Sequence, residues 1–254
     1  MKVLAFLDVE TDSLDPVTGH LLEVACVLWS VPLRSTIAAR SWLVMPHLVA
    51  ADWKNAARST NGIGEEMLFA HADPRVVVEA ELMAMSGSVD ALIAWNADFD
   101  SRWLPPSIIP WICAMDDLTY PRGGTGKSCT AVALAHGVGV VDAHRAMTDC
   151  MTMVRLFERV AEILDAVGRD PGLPGEVPCG PFEQWLARGL RPKAVYVNAD
   201  RSYNPKANDL YKAHGFRWHV SQPSRDLPEG EKVWWRKMAV EDAKALPFRV
   251  EARS

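Results

Sequence analysis

The apolar and polar positions of the chain fall into two different rhythms. Val3-Leu4-Ala5-Phe6-Leu7 is a continuous apolar run of the length that fills a strand covered on both sides. Leu21 to Trp29 (LLEVACVLW) and Thr36 to Met45 predict two more strands, and the short, turn-rich connection Thr11-Asp12-Ser13-Leu14-Asp15-Pro16 with Gly19 makes the three an antiparallel meander. The rhythm then changes. A short helix is expected over Ala50 to Arg58, with Asn61-Gly62-Ile63-Gly64 as its exit. A better one spans Pro74 to Ser86, with Asp73 as N-cap and Pro74 in its first position. Val89 to Trp95 and Ile108 to Met115 predict strands, and Ser128 to His136 a helix closed by Gly137. Met153, Leu156, Phe157, Val160, Ile163 and Leu164 recur at helical spacing in a long helix that runs to Val167.

A Pro- and Gly-rich stretch over 169–181 has linker composition and divides the chain into domains 1–168 and 182–254. Beyond it the pattern predicts a helix over Phe182 to Leu190, a strand over Ala194 to Asn198, and a helix over Pro205 to His214. Two strands follow, Phe216 to Val220 and Lys232 to Arg236, in a small α+β appendage. Alternation there buries one of Trp234 and Trp235 and exposes the other.

Charge adds to this division. Residues 1–182 carry 13 Lys+Arg against 23 Asp+Glu, and residues 183–254 carry 14 against 9. An acidic part that could hold cations is followed by a basic part that could hold a polyanion. Trp218 and Trp235, interleaved with Arg217, Lys232, Arg236 and Lys237, are candidates for base stacking, although a domain of this size also needs large aromatics in its core. The five cysteines are odd in number and have no C-x-x-C spacing, so neither a disulfide framework nor a zinc site is expected. No apolar run reaches the roughly 18 residues of a membrane span, and the N-terminus shows no signal-peptide pattern. A cytoplasmic protein without a membrane partner is expected.

Candidate chemistry sits where the apolar runs stop. Asp8 and Glu10, two apart at the end of the first strand, share one face, and two adjacent carboxylates are unfavourable unless a cation lies between them. An oxygen-only ligand set suits Mg²⁺ or Mn²⁺. A second cluster, Asn96-Ala97-Asp98-Phe99-Asp100, follows the strand that ends at Trp95; Asp98 and Asp100 compete for the role, with Asp98 as a helix N-cap leaving Asp100 in the first turn to face the pocket, or both only capping the helix. A third, His144-Arg145-Ala146-Met147-Thr148-Asp149, opens the long helix, with Asp149 directed at the sheet. A histidine at position 144 could take a proton from water near neutral pH. By contrast, Gly123-Gly124-Thr125-Gly126-Lys127-Ser128 lacks the glycine that a phosphate-cradling G-x-x-x-x-G-K-[ST] loop requires, since residue 121 is Pro121, and reads as a surface turn.

Asp8-x-Glu10-Thr11, Asn96 to Asp100 and His144-x₄-Asp149 together closely resemble the three motifs of the DEDDh family of 3′→5′ exonucleases, in order, interval and residue type. The resemblance covers roughly residues 1–168. It implies an α/β, ribonuclease H-like mixed sheet flanked by helices. It also implies two divalent ions, Mg²⁺ or Mn²⁺, on Asp8, Glu10, Asp100 and Asp149, with His144 as general base. Asn61-Gly62-Ile63 resembles the family's H-G-I segment with Asn in place of His. Thr11, Asn61 and Asn96 are thus expected on the substrate side, with Trp218 and Trp235 as further contacts. The implied activity is hydrolysis of phosphodiester bonds from the 3′ end of nucleic acid, single-stranded DNA ahead of RNA, releasing 5′-nucleotides. An RNA-trimming enzyme and an inactive binding module are the alternatives, and a homodimer is left open.

Overall fold

The structure, a computed structural model, describes residues 1–47, 53–123, 128–141, 144–167, 180–198, 205–218 and 232–253. The chain divides into two compact units, Met1–Leu190 and Arg191–Ser254. The loop 124–127, most of the expected 169–181 linker (169–179) and the connection 219–231 lie outside the described residues.

The first unit is built on β1 (Val3–Thr11), β2 (Leu21–Ser30) and β3 (Ser35–Met45), the expected antiparallel meander. The helix expected over Ala50 to Arg58 is not there among the described residues 53–57. Instead α1 (Arg58–Asn61) is a single turn closed by Gly62 at φ +68°, a left-handed position that suits glycine. Next come α2 (Glu65–His71), which the sequence pattern did not predict, and β4 (Asp73–Pro74). Asp73 and Pro74 pair with Val44 and Met45 at the sheet edge, so α3 (Arg75–Ser86) starts one residue later than its cap signal suggests. Then come β5 (Ala91–Ala94), α4 (Ala97–Trp103), β6 (Trp111–Cys113), α5 (Ala114–Asp117), α6 (Cys129–Ala135), α7 (Ala146–Val167) and α8 (Pro181–Gly189). Here β6 is shorter than the apolar run Ile108 to Met115, because the Asp117 carboxylate accepts the Cys113 N–H (2.7 Å) and turns the chain into α5.

Strand order is β4-β3-β2-β1-β5-β6, with β5 and β6 parallel to β1. Thus β1 lies inside the sheet, as its apolar run demands. Its residues alternate between two cores. Leu4 and Phe6 pack with Met153, Leu156, Phe157 and Val160 of α7, while Ala5, Leu7 and Val9 pack with Val78 and Leu82 of α3 and with Trp103. That alternation, continued by two more steps, puts Asp8 and Glu10 on the α7 face.

The helix over Pro181–Gly189, grouped with the tail by the Pro- and Gly-rich break before it, belongs to the first unit. Phe182, Trp185 and Leu186, spaced three and four apart, form one stripe, and Trp185 lies 5.0 Å from the Phe157 ring. A Cβ on Gly189 would come within 2.5 Å of the Ile112 side chain, so only glycine lets α8 approach β6 this closely. Among the described residues, no helix is long and apolar enough to cross a membrane.

The second unit is a four-stranded antiparallel sheet of β7 (Lys193–Asn198), β8 (Arg217–Trp218), β9 (Trp234–Ala239) and β10 (Val250–Arg253), ordered β10-β7-β9-β8. Short helices, α9 (Asn208–Ala213) and α10 (Val240–Lys244), contribute Tyr211 and Ala243 to a core with Tyr196, Phe216, Trp234 and Met238. The sequence pattern predicted neither α10 nor β10.

Candidate active site

The end of β1 lies at the floor of a cleft of about 480 Å³, into which three separate parts of the chain bring acidic groups. Asp8 and Glu10 come from β1. Asp149 comes from the first turn of α7, which packs across their face of the sheet, and one carboxylate oxygen from each of the three lies within 4.8 Å of the others. Asp100 stands in the first turn of α4, is 4% exposed and lines the same cleft. Asp98 is not among the lining residues, so the choice between the two falls to Asp100.

Burial and mutual repulsion set the charge state of this cluster. Asp8 is raised well above the ordinary carboxylate range, first by burial and then by the charges of Asp100, Asp149 and Glu10. Glu10 is raised to about 8 by burial, with Asp149 and Glu23 adding repulsion that Arg145 partly offsets. Asp100 is raised to about 7 by burial, against backbone N–H groups that favour its anion. Asp149 moves the same way through burial, opposed by the His144 N–H. Four carboxylates that cannot all ionise comfortably, with oxygen donors only, fit a hard divalent cation.

His144 lies exposed at the edge of this cleft, just ahead of α7. Its backbone is left-handed, φ +70°, which costs a non-glycine residue of order 1–3 kcal/mol and persists only where surrounding contacts enforce it. One such contact is the His144 N–H donating to Asp149 Oδ2 (3.2 Å).

The remaining expected residues separate. Thr11, Asn61 and Asn96 all line the cleft. Yet the Thr11 hydroxyl donates to the Ser13 carbonyl (2.6 Å), which shapes the turn after β1. Asn61, 2% exposed, donates to the Thr11 carbonyl (3.2 Å) and accepts from Asn55 Nδ2 (2.9 Å) and the Ile63 N–H (3.1 Å). Its amide thus ties the cleft wall to the end of β1. Asn96 precedes α4, and its carbonyl accepts the Phe99 and Asp100 N–H groups. Trp218 and Trp235 are in the second unit. Trp218 packs 5.5 Å from the Trp234 ring on the core face, and Trp235 lies on the opposite face with Val195, Val197 and Val233.

Residues beyond those expected from the motifs also shape the site and its border. Glu23 is the one charge inside the apolar run LLEVACVLW, and it sits directly across from Glu10 in the β1–β2 ladder. It is 2% exposed and ion-paired with Arg145. Trp95 and Phe99, together with Leu14 and Met153, give the cleft its apolar wall.

No family model matches the chain, and no curated protein matches it. Solved structures do. One is exonuclease I of E. coli in complex with a dA16 oligonucleotide, with 12% identity over 98% of this chain and 68% of that one and a TM-score of 0.58. A second is exonuclease X in complex with 5′ overhanging duplex DNA, with 23% identity over 73% of this chain and 99% of that one and a TM-score of 0.51. Another exonuclease I structure matches 78% of this chain at 14% identity and a TM-score of 0.53, and there the chain spans about half, 49%, of its partner's length. With its six-stranded mixed sheet flanked by helices, the chain has the ribonuclease H-like fold of these exonucleases.

Proposed function

We propose that this chain is a metal-dependent 3′→5′ exonuclease that shortens single-stranded DNA and releases 5′-nucleotides. The observation that carries the reading is the convergence of Asp8, Glu10 and Asp149 within 4.8 Å, beside Asp100 and His144 in one cleft. Fold likeness supports it, as do the oligonucleotide and duplex DNA held by two of the similar structures.

Asp8, Glu10, Asp100 and Asp149 would hold two Mg²⁺ or Mn²⁺ ions, which when bound supply Lewis-acid stabilisation of charge on phosphate oxygens. His144, exposed at the edge of the cleft, takes the proton of the attacking water on an imidazole nitrogen and releases it to solvent. Trp95 and Phe99 offer a flat apolar wall to any terminal base, a sequence-tolerant mode of recognition. The cleft volume falls in the roughly 300–1,000 Å³ range of small-ligand clefts, enough for one nucleotide rather than a duplex.

The test uses 5′-labelled DNA and RNA of one sequence, with Mg²⁺, Mn²⁺ or EDTA. A ladder of products that shorten one residue at a time from the 3′ end, lost in EDTA and in Asp8→Ala, is expected on DNA first. Faster laddering on RNA moves the proposal to an RNA-trimming enzyme. Binding without shortening of either strand refutes the enzyme and leaves a binding module.

A further inference from the structure

Beside the cleft stands Glu23, a buried carboxylate that the proposed chemistry does not use. Glu23 does not line the cleft. Its two oxygens are taken up by Arg145, whose Nε donates to Oε2 and Nη2 to Oε1, each at 3.0 Å, and Oε2 also accepts the Ala146 N–H at 3.2 Å. Arg145 and Ala146 are the two residues that follow His144. A single side chain of β2 therefore grips the chain immediately after His144, and from the other side Asp149 accepts the His144 N–H at 3.2 Å.

Held between the two, His144 keeps φ +70°, which an unrestrained turn at a non-glycine residue rarely holds. Glu23 also stands across from Glu10 in the strand ladder, so it references the histidine to the strand that carries two of the acidic groups. We infer that the Glu23–Arg145 pair is a positioning device for His144, fixing where the imidazole stands relative to the carboxylates and acting on turnover only through it. The inference rests on the reading of His144 as the general base.

Arg145→Lys tests it, because lysine keeps the charge but cannot reproduce the two-pronged bond. A misplaced base lowers kcat by roughly 10- to 100-fold, while KM, set by strand contacts elsewhere, stays within about threefold. The deciding comparison is the same substitution made in His144→Ala. With no imidazole left to position, Arg145→Lys must then change kcat by no more than about twofold. A loss that persists undiminished in His144→Ala, or no loss in the native background, overturns the inference. Glu23→Gln repeats the test from the other partner should Arg145→Lys unfold the protein. If the native chain turns over neither strand, the nuclease reading itself fails, and the positioning claim is decided by NMR. The His144 amide and ring signals must then move in Arg145→Lys and stay in place in Arg75→Lys, a control at the Arg75–Glu79 pair of α3; unmoved signals in Arg145→Lys overturn it.

Discussion

The two units handle their chemically conspicuous side chains in opposite ways. In Met1–Leu190 the acidic residues at the ends of the apolar runs are gathered in a buried cluster that repels itself, a cost no packing argument explains. In Arg191–Ser254 the tryptophans are spent on packing: Trp234 is buried with Tyr196, Tyr211 and Phe216, and Trp218 leans on it. The difference separates a residue placed for stability from one placed despite it. The first kind satisfies its neighbours; the second is tolerated by them.

The sharpest way to break this contrast is Asp8→Asn, which keeps the shape and removes the charge. Turnover should fall by about 10²- to 10³-fold, the scale lost when one preorganised electrostatic group is removed, while the melting temperature in EDTA rises because repulsion in the cluster is relieved. A lower melting temperature would mean that Asp8 is structural. In the second unit, Trp234→Ala should do the reverse, costing about 3–5 kcal/mol of that unit's stability by denaturant unfolding. Trp235→Ala, on the opposite face of the sheet, should cost much less stability. If the second unit contacts the strand, the same change weakens oligonucleotide affinity by about tenfold, the value of one stacked base.

A pH series sharpens the contrast without mutation. Glu10 and Asp100 have folded values raised to about 8 and about 7, so over the interval between the ordinary carboxylate range and those values the folded state holds protons that the unfolded state has released. Stability in EDTA must therefore fall as pH rises toward 8. Added Mg²⁺ or Mn²⁺ should cancel the slope, and thermal melts across pH 5 to about 8.5, with and without metal, check both signs. The smallest effect is expected at Asn61→Ala, which takes a donor from the Thr11 carbonyl and an acceptor from the Ile63 N–H, while the Asn55 amide keeps its bond to the Ile63 carbonyl; it costs about 1–3 kcal/mol, with turnover reduced less than by Asp8→Asn.

Much of this arrangement is legible in the sequence because it is local. The β1–β2–β3 meander, β5 and the long α7 each have a clear apolar rhythm, and Asp8, Glu10, Asp100 and Asp149 stand near the ends of those segments. The rest depends on residues distant in sequence. Glu23 and Arg145 are 122 residues apart, and nothing in either segment alone announces the pair, although a glutamate within LLEVACVLW is a clue to a buried partner. The faces of Trp218 and Trp235 follow from strand register, which a two-residue strand barely specifies. Likewise Asp73-Pro74 carries a helix-start signal that edge pairing to β3 overrides. A Pro- and Gly-rich stretch sets the helix over Pro181–Gly189 apart from the first domain in sequence, whereas its Phe182, Trp185, Leu186 stripe packs on the core of that domain.

Calorimetric titration of Mn²⁺ into the full chain near neutral pH tests the acidic cluster as a cation site without reference to any substrate. Saturable binding with release of protons is expected, since Glu10 and Asp100 are raised to about 8 and about 7 and must ionise to accept the ion. It should vanish in Asp8→Asn/Asp149→Asn. No binding, or binding that survives in that double variant, would contradict the account.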